Sequence, residues 1–90
     1  MQLSKTLLIK NKLGLHARAA TQLVKVSQSY PCEITIECDG KSANANSVMA
    51  LLMLAGATGT EVTVNCNGEQ AEQALQAVED LINARFHEGE

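Results

Sequence analysis

Aromatic side chains are nearly missing from this 90-residue chain: Tyr30 and Phe86 are the only two, and there is no tryptophan. Any core is therefore aliphatic, and the stacking platforms that hold single-stranded nucleic acids are lacking. Basic charge is also in deficit. Seven Lys and Arg stand against ten Asp and Glu, for a formal net charge of −3. Nucleic-acid binders draw most of their affinity from a basic surface, so that class is set aside. Cysteine is sparse and odd in number. Cys32, Cys38 and Cys66 show no metal-ligand spacing, which points to reduced core thiols in a reducing compartment. His87 has no paired ligand nearby, so no metal site and no cofactor are expected. No stretch approaches the ~20 apolar residues of a membrane span, and the N-terminus carries only Leu7-Leu8-Ile9 as a continuous apolar run. No signal segment and no membrane partner are expected, and the expected location is the cytoplasm. Ninety residues suffice for one domain, spanning 1–90.

What is present alternates between strand and helix periods. Leu3, Leu7 and Ile9 share one face of an extended segment, with Lys5 intruding, which predicts a first strand over 2–10. Asn11-Lys12-Leu13-Gly14 reads as a loop. Ala20, Leu23, Val24 and Ser27 recur at helical spacing and predict a helix from His16 to Ser29. The single proline, Pro31, ends it, because the residue before a proline disfavours the helical region. Cys32, Ile34, Ile36 and Cys38 then alternate with Glu33, Thr35 and Glu37, the mark of an antiparallel strand with one wet face. Asp39-Gly40 signals a hairpin into a short strand, Lys41 to Ala45.

Asn46 or Ser47 caps a predicted helix, Val48 to Ala55, stopped by Gly56 and Gly59. Val62, Val64 and Cys66 mark a fourth strand, broken at Gly68. Ala71, Ala74, Leu75, Val78, Leu81 and Ile82 form the apolar stripe of a last helix, Gln70 to Asn83. Glu69, Glu72, Glu79 and Asp80 are expected on its solvated face. The polar tail after Arg85 is expected to fray. The order βαββαβα predicts an α+β, two-layer open-faced sandwich: a four-stranded antiparallel sheet covered on one face by three helices.

The chemistry concentrates in Gly14-Leu15-His16-Ala17-Arg18-Ala19-Ala20. A histidine stands where a helix begins, and an arginine follows two residues later. Neutral imidazole is a nucleophile near pH 7. A phosphate on its ring would lie near the N–H groups of Ala17 and Arg18, with ~0.3–1 kcal/mol of stabilisation from the helix dipole. Arg18 can add charge-assisted hydrogen bonds. On chemistry alone, a histidine that merely caps a helix explains the same residues. The run Val48 to Leu54 is apolar all round, more than one sheet face can bury. Val48, Leu51 and Leu54 or Ala55 are expected to face the core, leaving Met49, Leu52 and Met53 partly exposed as a contact patch.

Gly14-Leu15-His16-Ala17-Arg18 with Ala20 resembles the active-site signature of the HPr family, the histidine-containing phosphocarriers of the bacterial phosphoenolpyruvate-dependent phosphotransferase system. Ala43-Asn44-Ala45-Asn46-Ser47-Val48-Met49, running into Leu51-Leu52-Met53-Leu54, resembles that family's second motif. The similarity covers nearly the whole chain, and Asn46-Ser47-Val48 with Leu51 to Leu54 looks most like the nitrogen-related (NPr) branch.

The resemblance implies a monomeric carrier rather than a stand-alone enzyme. His16 would accept phosphate on Nδ1 from phosphorylated enzyme I and pass it to an enzyme II A-type protein. Arg18 would neutralise the phosphate. Leu15, Val48, Met49, Leu52 and Met53 would form the docking surface. Ser47 matches a regulatory serine that a dedicated kinase phosphorylates in some bacteria, although Asn46 stands where regulated members carry lysine. Ala19 stands where the family carries proline. A second reading keeps the fold but makes the chain a regulatory binding module, switched by phosphorylation of His16 or Ser47.

Overall fold

The computed structural model describes residues 2–54 and 57–87. In chain order the elements are β1 (Gln2–Leu8), α1 (Ala17–Gln28), β2 (Cys32–Cys38), β3 (Lys41–Asn44), α2 (Val48–Met53), β4 (Glu61–Gly68) and α3 (Ala71–Asn83). A left-handed turn over Arg85–His87 follows. The βαββαβα order is the expected one. The four strands pair in the order β1-β4-β2-β3, and every pair is antiparallel.

Alternation decides which face each strand buries. Leu7, Val62, Val64, Cys66, Ile34, Ile36 and Cys38 all point into the helix layer. There they meet Ala20 and Leu23 of α1, Leu51 of α2, and Ala74, Val78 and Ile82 of α3 in one core. The opposite face is open and polar. Thr6 pairs with Thr63, and Asn65 donates to Glu37 at 2.9 Å. Lys5, which interrupts the apolar face of β1, reaches Glu79 of α3 at 2.7 Å. Glu79 is therefore half-buried and paired, which corrects the sequence expectation that it lies on the solvated face. An exposed pair of this kind is worth roughly 0.2–1 kcal/mol.

Turn chemistry sets the register of the hairpin. Asp39 and Gly40 both take positive φ, 51° and 79°, as a two-residue turn matched to the strand twist requires, and Cys38 pairs with Lys41 across it. The predicted element ends move slightly. β1 stops at Leu8, although Ile9 still donates to the Thr60 carbonyl at 2.9 Å. β3 stops at Asn44, although Ala45 still donates to Ile34. α2 ends at Met53 with Leu54 as its C-cap. Ala55 and Gly56, in the predicted end of that helix, lie outside the described residues.

Two expectations need correction. Cys38 and Cys66 are buried, but Cys32 is only partly so. Burial pushes the Cys66 thiol up to about 11, with the neighbouring Cys32 adding to the shift; such a thiol stays protonated and inert at neutral pH. The tail does not fray immediately after α3: Phe86 is 0% exposed and belongs to the core.

Candidate functional site

His16 is the N-cap of α1, with extended φ/ψ of −88° and 177°. Its carbonyl accepts the first helical bond, from the Ala20 N–H at 2.9 Å. Its side chain makes no capping hydrogen bond. The reading of His16 as a plain helix cap therefore loses its physical basis: the residue occupies the position without doing the work of a cap. The imidazole is half-exposed.

The first turn of α1 leaves its backbone donors open to an anion. The N–H groups of Ala17, Arg18 and Ala19 have no acceptor within the helix, and the turn contains no acidic residue. The positive end of the helix dipole is thus uncompensated by any carboxylate of its own turn. Arg18 is exposed, so its guanidinium can swing over the His16 ring without losing a core contact. Ala19 and Ala20 are both fully buried and anchor the turn from beneath.

The loop before His16 is held by a small network. Gly14 has φ +66°, a left-handed conformation that glycine adopts without penalty. Asn11 is completely buried; its side-chain amide donates to the Gly14 carbonyl at 2.7 Å, and its own carbonyl accepts from the Gly14 N–H at 3.2 Å. The His16 N–H also donates to the Gly14 carbonyl, at 3.0 Å. From across the molecule, the Thr58 hydroxyl reaches the carbonyls of Asn11 and Lys12. Neither Asn11, in the predicted loop, nor Thr58 carries a sequence motif. The only signal was a polar residue between Ile9 and Leu15 whose environment a sequence cannot reveal.

Ser47 is the N-cap of α2, and its Oγ accepts from the Ala50 N–H at 3.2 Å. Of the two predicted caps, Ser47 is the one used. Ser47→Ala is expected to cost about 1 kcal/mol, the usual value of such a cap. In a thermal melt that appears as a drop of roughly 4–8 °C.

The docking residues divide. Met49 and Met53 are 70% and 72% exposed, Val48 and Leu52 are half-buried, and Leu51 and Leu54 face the core. α2 packs against α1, the helix that His16 opens. Leu15 does not belong to this surface: at 6% exposure it is a core residue, drawn inward as the chain turns at Gly14. The exposed aliphatic residue of that loop is Leu13, at 67%. A shallow hollow lined by Thr6, Glu37, Asp39 and Thr63 among others lies on the open sheet face and does not include His16.

Residues 3–84 match the family described as the PTS HPr component phosphorylation site. The chain belongs to the HPr family. It is 47% identical over 83 residues to the phosphocarrier protein HPr of Pseudomonas aeruginosa, covering 91% of this chain and 92% of that one. It is 46% identical over 89 residues to the phosphocarrier protein NPr of Klebsiella oxytoca, covering 98% and 99%. A crystal structure of HPr from Thermoanaerobacter tengcongensis superposes with a TM-score of 0.92 at 36% identity, covering 98% of this chain and 99% of that chain. The chain is thus an HPr-like phosphocarrier of the phosphotransferase system. Among the described residues no helix is long and apolar enough to cross a membrane.

The family's proline position is tested by its geometry. Ala19 is the third residue of α1, where an N–H has no helical acceptor, so a proline there forfeits no helix bond. Ala19→Pro is expected to change stability by only ~0.4–1 kcal/mol. Phosphoryl transfer should stay within about tenfold of the parent chain, since the change removes one backbone donor worth ~0.5–1.5 kcal/mol. Urea midpoints and transfer rates of the two chains check both values; a larger change would mean that Ala19 sets the activity of the site.

Proposed function

We propose that this chain carries a phosphoryl group on Nδ1 of His16, received from phosphorylated enzyme I and delivered to an enzyme II A-type protein. The observation that carries this reading is His16 at the mouth of α1, making no cap bond, above a first turn with no acidic residue. In the transfer, the P–N bond on the donor histidine breaks and a P–N bond to Nδ1 forms. The phosphoryl oxygens then face the Ala17 and Arg18 N–H groups, which the helix holds in place before the charge arrives, and the exposed Arg18 guanidinium can swing over to join them. Enzyme I and the acceptor supply the rest of each site, and the half-buried Val48 and Leu52 with the exposed Met49 and Met53 supply the docking surface. The protein works as a cytoplasmic monomer without a cofactor.

Relatives named HPr and NPr match almost equally well, 47% and 46%. The nitrogen-related branch is favoured by the Asn46-Ser47-Val48 and Leu51 to Leu54 sequences. The reading of Ser47 as a kinase target is the weaker one, because its hydroxyl already caps α2.

The test is incubation with phosphoenolpyruvate, magnesium and an enzyme I, followed by mass measurement and phosphorus NMR. One acid-labile phosphoryl group per chain is expected. No uptake from any of several enzyme I paralogues overturns the carrier reading.

A further inference from the structure

We propose that the Thr58 hydroxyl is a remote lock on the His16 loop, acting through buried Asn11 to position the imidazole for phosphoryl transfer; the inference rests on the carrier reading. Thr58 lies 47 positions along the chain from Asn11. Its turn is zipped to the end of β1 by two backbone bonds, Gly59 N–H to the Ile9 carbonyl and Ile9 N–H to the Thr60 carbonyl, both 2.9 Å. That places the hydroxyl against the carbonyls of Asn11 and Lys12, the latter at 2.9 Å. One hydroxyl proton serves two acceptors and is shared between them, so both carbonyls are held on the same side.

The bonds then run inward in order. The Asn11 carbonyl, held by Thr58, also accepts from the Gly14 N–H, and the Asn11 side-chain amide holds the Gly14 carbonyl. That same carbonyl accepts the His16 N–H. With its N–H held by Gly14 and its carbonyl by the Ala20 N–H, the His16 backbone is fixed at both ends, which sets the direction of its Cα–Cβ bond and so the region Nδ1 can reach. Two consequences follow. The His16 N–H is occupied within the loop, so the backbone donors left for phosphate are those of Ala17, Arg18 and Ala19. The reach of the nucleophile is set by a residue that never touches the phosphoryl group. Thr58 is a positioning residue, and it is exposed, so its substitution leaves the core intact.

The experiment compares the parent chain with Thr58→Val, which keeps the shape and removes the hydroxyl, and Thr58→Ser, which restores it. Transfer from phosphorylated enzyme I is measured alongside amide hydrogen exchange at Gly14 and His16. For Thr58→Val, kcat should fall about tenfold with KM within about twofold, the loss that a missing hydrogen bond and a displaced nucleophile bring. Exchange at both amides should accelerate, and Thr58→Ser should recover most of both. Unchanged exchange or unchanged kcat in Thr58→Val overturns the lock, as does a Thr58→Ser chain as slow as Thr58→Val. Failure of the parent chain to take up phosphate is a different result: it removes the carrier reading and the lock's role in transfer, while accelerated exchange would still establish the lock on the loop.

Discussion

Replacing His16 by alanine is expected to abolish phosphoryl uptake and to leave the fold standing. The two halves of this result have separate physical causes. The side chain is half-exposed, makes no capping bond and is not part of the core cluster, so its removal leaves the packing beneath it in place. The expected change in stability is within ~0.5 kcal/mol, the range of surface substitutions. The proposed phosphoryl acceptor, by contrast, is one ring nitrogen of that side chain, and alanine removes it. His87, the other histidine, sits past the end of α3 and not at the start of α1. Mass measurement after incubation with enzyme I reads the first half, and a urea titration reads the second. Undiminished label on His16→Ala would place the phosphate elsewhere. Arg18→Ala is expected to keep the acceptor and slow transfer by about 10- to 100-fold, the value of one or two charge-assisted hydrogen bonds at ~1.5–3 kcal/mol.

Phe86→Ala is expected to be among the most destabilising single changes in the protein. Phe86 is the largest fully buried side chain. Truncations of this kind cost ~3–5 kcal/mol. Arg85, Phe86 and His87 have φ values of 56°, 53° and 59°, a left-handed path that none of these residue types prefers. Burial of the ring holds the chain there. Truncation relieves some of that strain, so the loss should lie near 3 kcal/mol, a fall of roughly 12–24 °C in a domain of this size. Thermal melts of Phe86→Ala and Phe86→Leu check it: leucine, which refills much of the space, should recover most of the loss. A fall below about 1 kcal/mol would show that the left-handed turn holds without its ring.

Much of the architecture was legible because it depends on local periods. The alternation from Cys32 to Cys38 names its buried face unaided, since successive residues of a strand point to opposite sides. Asp39-Gly40 predicts its turn because few other residues accept positive φ in succession. The apolar stripe of α3 needs only the helical repeat. His16 was legible for a different reason: on chemistry alone it could be a plain helix cap, and the resemblance of Gly14 to Arg18 and of the second motif to the HPr family made it the candidate acceptor.

Burial across sequence distance was not legible. Leu13 and Leu15 are the same residue type two positions apart, yet one is exposed and the other in the core, because the left-handed Gly14 between them turns the chain inward. Lys5 looked like an intrusion until α3 brought Glu79 to it. The tail looked polar, yet Phe86 closes the core. Asn11 and Thr58 carry no motif at all. By itself the sequence determined the family and the element order and singled out His16 as the candidate phosphoryl acceptor, because each follows from residue types at short, regular spacing. Only the tertiary structure decided how the loop before His16 is held, because the Thr58 bonds to Asn11 and Lys12 join segments far apart in the chain, and no local pattern records which of them will meet.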